Sequence, residues 1–180
     1  MEKIKFILLI LLTSASIVIV SGCSKDSKNS NPVTPGNSGG NGNPGNVESQ
    51  ASVFVNGEGF DLLQLNTKEG AAYYSPVNNS TYTSIVVRTG SDTLMILLAT
   101  RGKETGTFKW NDSDAISYLI VASENGYKSY VSVNSGETKI TEYGSVNGLI
   151  KGTFSGSVFN DNNNPVDIDG SFAIKRIKDQ

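Results

Sequence analysis

From Ala51 to Gln180 the apolar residues fall in short runs, and where a period can be read it is two. In Val166 to Arg176 the even positions are Val166, Ile168, Gly170, Phe172 and Ile174, while Asp167, Asp169, Ser171 and Lys175 hold odd ones. That alternation puts one strand face in a core and the other in water. Gly148 to Val158 repeats the habit, with Gly148, Gly152 and Gly156 interleaved with Ile150, Phe154 and Val158. Glycine alternating with a bulky residue on an inward face relieves crowding where a strand coils sharply, as in a small barrel. Leu94–Leu98 and Leu119–Ala122 are apolar at consecutive positions, so these strands are expected to be central or to have their outer face covered.

The breaks between runs carry turn chemistry. Asn56-Gly57, Gly90-Ser91-Asp92, Asn125-Gly126 and Asn134-Ser135-Gly136 each separate two such runs. Asn-Gly and its relatives accept the positive φ angles of tight hairpins. No segment carries a capped apolar stripe at a 3.6-residue period. The expected fold is all-β: a single antiparallel domain of about eight or nine strands over residues 51–180, barrel-like or a sandwich.

Before residue 51 the texture differs. Lys3 and Lys5 precede an apolar segment too short for a good membrane span, and small residues lead to Cys23, the only cysteine. Residues 1–22 read as a signal peptide. Val20-Ser21-Gly22-Cys23 resembles the lipobox of bacterial lipoproteins, whose cysteine becomes an acylated N-terminus. Each buried methylene contributes about 0.8 kcal/mol, so one chain binds marginally and two or three hold firmly. Ser24 as mature residue two, rather than Asp, favours an outer-membrane address by resemblance to the bacterial sorting rule. Ser24-Lys25-Asp26 leaves the facing side open.

Residues 23–50 are read as the lipidated cysteine and a flexible linker. Of the 27 residues Ser24 to Gln50, 19 are Gly, Asn, Ser or Pro, too polar a composition to repay the cost of ordering. As a coil it reaches about 30 Å on average and roughly 90 Å if pulled straight. Beyond residue 22 the chain carries 13 Lys and Arg against 16 Asp and Glu. No basic stripe is present to displace counterions, so no nucleic-acid partner is expected.

Four phrases together resemble a family of small lipoprotein domains of unknown function in Bacteroidetes-type bacteria: Ala51–Gly57, Gly106-Thr107-Phe108, Gly152–Gly156 and Ile168–Phe172. Phe60, just after the first turn, falls where such domains often carry an aromatic. The resemblance implies an exported, lipid-anchored, all-β domain and supplies no catalytic residues.

The absence of histidine removes Ser–His and Cys–His catalysis and zinc sites built on the usual ligands. No cofactor is expected. Asp167 and Asp169 lie two apart on one strand face, about 7 Å by strand rise. A carboxylate-based glycan-active enzyme would need two such groups in one cleft, but their alternation with core residues puts them on the solvated side. Asp161, Asn163 and Asp167 are the candidate calcium ligands, since calcium takes six to eight oxygens. Pro165 breaks the EF-hand spacing, and a polar hairpin loop explains the same letters. Tyr73 and Tyr74, in the loop-like stretch 67–80, and Trp110, after Phe108, are the candidate ligand-binding residues. Exposed, they would stack on a glycan or anchor a protein partner; rings capping the rim of a small β core would give the same letters. The expected function is a non-enzymatic, lipid-anchored binding module. The alternative is a lipocalin-like carrier of a small apolar ligand, because an eight-stranded barrel has room for side chains or one small guest.

Overall fold

A computed structural model describes residues 47–57, 59–111 and 113–180. The signal segment, Cys23 and the linker up to residue 46 lie outside the described residues. The described residues form ten strands: β1 (Gln50–Gly57), β2 (Phe60–Thr67), β3 (Glu69–Ser75), β4 (Ser80–Thr89), β5 (Asp92–Arg101), β6 (Gly106–Lys109), β7 (Ala115–Ser123), β8 (Gly126–Tyr143), β9 (Leu149–Phe159) and β10 (Pro165–Lys175). They build one antiparallel sheet in the order β2-β1-β10-β9-β8-β7-β5-β4-β3, with β6 laid beside β8.

The two ends of that order are consecutive in the chain. Only Lys68 separates β2, which pairs with β1, from β3, which pairs with β4. One bent run therefore serves as both edges, and the sheet curls back on itself. The C-terminal tail fastens the seam: Ile177 N–H donates to Ala72 O at 2.7 Å and Gln180 N–H to Tyr74 O at 3.0 Å. Folding starts slightly earlier than residue 51. The buried Ser49 hydroxyl accepts from Lys175 N–H at 3.0 Å and donates to Gly70 O at 3.3 Å.

The alternation read from the sequence sets the inside. Ile150, Phe154 and Val158 of β9 and Val166, Ile168, Phe172 and Ile174 of β10 are all at most 4% exposed. Phe154 lies directly opposite Gly170, and Phe172 opposite Gly152. A Cβ on Gly170 would stand 2.9 Å from Phe154 Cζ, and one on Gly152 the same distance from Phe172 Cζ. Each ring thus covers the bare backbone of its cross-strand glycine, which lets two phenylalanines share one tightly coiled pair of strands.

Two expectations are corrected. The stretch 67–80 is not a loop: it contains β3, hidden in the sequence because Gly70, Ala71 and Ala72 give no contrast between faces. Asn134-Ser135-Gly136 is not a turn between strands. β8 runs through it with a register shift between Ser132 and Gly136, a bulge that bends the strand. β3 adds a strand to the expected count and the unbroken β8 removes one, and with the short β6 the described residues hold ten.

Candidate functional site

Trp110 was expected in an exposed connection, yet it is only 1% exposed. Its ring fills the hollow made by the bulge: Cβ atoms on Gly136 and Gly156 would come within 2.3 and 2.5 Å of it. Its Nε1–H donates to Thr138 Oγ1 at 2.9 Å, which meets the one polar demand of a buried indole. Its edge reaches only the floor of a shallow notch of about 370 Å³ between Lys109, Asn134 and Glu137. Trp110 is a core residue.

Tyr73 and Tyr74 are neighbours on β3 and so point to opposite faces. Tyr74 belongs to the inward side, at one end of the barrel. Its hydroxyl bonds Asn79 Oδ1 at 2.9 Å, and Lys103 Nζ sits 4.1 Å above its ring. This end is closed by polar groups. Thr81 donates to Gly102 O at 2.6 Å, so Tyr143 O–H is left to donate to Thr81 Oγ1 at 2.7 Å. Arg176, 7% exposed, donates to Gly144 O and to both carboxylate oxygens of Asp179. The bond from Arg176, with help from Lys103, holds the Asp179 carboxyl below its usual range.

Tyr73 points outward and stacks on Tyr82 of β4, ring centroids 5.2 Å apart and 24° from parallel. Partial burial, then the neighbouring Tyr82, push the Tyr73 phenol above its ordinary range. This pair begins a continuous outer surface. Along the register Tyr73 and Tyr82 lead to Ala99 and Ile116. The next row runs Ala71, Ser84, Leu97, Tyr118 and Val131. A third joins Val86, Met95 and Ile120. Most of these side chains are half-buried by one another, and Leu97 is 5% exposed. All ten strands belong to one sheet, so no second sheet or helix among the described residues covers this face. The ion pair of Arg88 with Glu69 (3.0 Å) marks its rim.

The opposite outer surface is polar. Ser52, Asn66 and Ser171 border a shallow recess of about 570 Å³, and Thr153, Ser155, Asp167 and Asp169 are exposed. Ser157 donates to Asp167 Oδ1 at 2.6 Å. Asp161 and Asn163 lie in the β9–β10 turn, which is organised by Asn160: its Oδ1 accepts from the N–H groups of Asn162 and Asn164, both at 2.9 Å. Asn163 takes φ 61° there, a conformation asparagine tolerates. Among the described residues no three His, Cys, Asp or Glu side chains gather as a metal site would need.

The three aromatic candidates are therefore not brought together. One faces out, one caps the barrel end and one is core. The sequence reading missed Tyr82, Met95, Ile116 and Ile120 as surface residues. The signal was present in the consecutive apolar residues of Leu94–Leu98 and Leu119–Ala122. Compared with family models, curated proteins and solved structures, the chain finds no match.

Proposed function

We propose that the chain is a lipid-anchored outer-membrane lipoprotein whose β-domain is a non-enzymatic binding module, engaging its partner through the outward face of β3, β4, β5, β7 and β8. The observation that carries this reading is the pairing of a filled interior with an uncharged apolar outer face. Phe154, Phe172 and Trp110 occupy the spaces their glycine partners leave, which supports recognition on the surface over carriage within. Outside, five strands about 4.8 Å apart and three rows about 6.8 Å apart make a patch on the order of 500 Å². An apolar patch of more than a few hundred Å² marks an interaction site. Anchoring rests on the lipobox-like sequence ending in Cys23, and the linker gives the domain freedom to present this face.

Trp110 is the sole tryptophan and lies inside the barrel, so its emission reports any guest there. Titrating the mature chain with long-chain fatty acids is expected to leave that emission unchanged, while metabolic labelling with palmitate marks the native chain and not Cys23→Ser. Saturable one-to-one quenching of Trp110 would replace the module with a carrier. Absence of label on the native chain would remove the anchor.

A further inference from the structure

We infer that the occupant of the outward apolar face is a second copy of this chain, packed sheet against sheet about a two-fold axis. The inference rests on the binding-module reading and names its partner. Three features carry it. First, the rows between the rims contain no charged residue. The flanking charges stand at the rims, where Glu69 and Arg88 pair with each other at one end and Arg101 follows Ala99 at the other. A surface of this kind loses little when desolvated, and the centre of a protein interface is depleted of charge in the same way.

Second, the relief suits a flat-on contact. The half-buried side chains of Met95, Ile116 and Ile120 stand on the paired strands β5 and β7. Insertion into a bilayer calls for side chains that protrude past the headgroups, usually with Lys or Arg beside them. Facing sheets need only interdigitate across about 10 Å. The Tyr73–Tyr82 stack stands beside the small Ala71, Ser84 and Ala99. A two-fold operation sets such a ridge over such a hollow twice, once in each direction.

Third, the size fits copies held on one membrane. Two patches of about 500 Å² would bury about 1,000 Å² in total, at the lower bound of specific interfaces and so weak in free solution. A shared membrane raises the effective concentration of tethered copies, which makes a weak contact sufficient. The anchor side is well placed for it. Glu48 and Ser49, where the tether enters, contact Lys68 and Gly70 at the β3 border of the face.

Cross-linking in intact cells tests this on the full lipid-anchored chain. Cysteine is introduced singly at Ser84, Met95 or Ile120 on the face, or at Thr153 on the polar side, and a short bismaleimide is added. The parent chain, with Cys23 alone, is the control. The expected result is a species of twice the chain mass from the face variants, and none above control from Thr153→Cys. Adding Ile120→Lys to Met95→Cys is expected to cut that species by at least about tenfold, the effect of an unpaired charge at an interface centre. Unchanged Trp110 emission certifies the fold of each variant. Face variants that cross-link no more than Thr153→Cys, or only into a species of another mass, would overturn the second copy. In the latter case the face remains a binding surface, whereas face cysteines that give no cross-link yet react with a monofunctional maleimide as fast as Thr153→Cys would take the module reading down with it.

Discussion

Ser117 shows how narrowly the polar groups of this core are balanced. It is fully buried on the inward side of β7, its N–H reaches Ser132 Oγ at 2.9 Å, and its own hydroxyl has no partner. A buried hydroxyl without a hydrogen bond costs on the order of 1–3 kcal/mol. Ser117→Ala keeps the backbone bond, removes the orphan and leaves only a small space. It is expected to raise stability by about 1 kcal/mol, read as a higher denaturant midpoint with an unchanged slope; a lower midpoint would mean that the hydroxyl is satisfied. Trp110 makes the complementary point. The Asn and Asp residues that follow it left an exposed ring open as one reading of the sequence. Its burial depends on Gly136 and Gly156, which the fold brings to it from far along the chain, and no local pattern encodes that meeting.

Among the elements, β9 and β10 were the most legible and β3 the least. Both outcomes follow from side-chain contrast. Phe and Ile alternating with Asp, Ser and Lys declare a half-buried strand, whereas Gly70-Ala71-Ala72 followed by two tyrosines declares neither face. β5 and β7 were legible as strands apolar on both sides, and they do lie next to each other inside the strand order. Their outer rows became visible as one surface only when the register aligned Leu97 with Tyr118 and Met95 with Ile120. The ring-over-glycine pairs make a sharp demand at this scale. In Gly170→Ala the new methyl would lie 2.3 Å from Ser52 O and 2.9 Å from Phe154 Cζ. Since β1 and β9 flank the site, neither neighbour has room to retreat. The expected loss is about 2–3 kcal/mol in chemical unfolding. Ser171→Ala, one residue away on the exposed side, is expected to change stability by less than about 0.5 kcal/mol. Equal effects of the two substitutions would mean that the rings do not hold the strands as described.

At the scale of the whole molecule the sheet is two-sided in an unusual sense: packed within, polar over β9, β10 and β1, and apolar over β3 to β5 and β7. An eight-stave curl with small inward residues would have left room for a guest. Here the glycines are spent on aromatic rings, and the surplus apolar surface lies outside. A domain with a packed interior works by what it touches, so the account stands on whether that outer face is covered where the protein operates. Hydroxyl-radical footprinting measures this directly, by comparing intact cell envelopes with dilute purified protein. The account predicts that Tyr82, Met95 and Ile120 are oxidised several-fold more slowly in envelopes, with the exposed Pro165 of β10 on the polar side reacting alike in both. Equal oxidation of the apolar face in the two settings, or protection of the polar side instead, would contradict it.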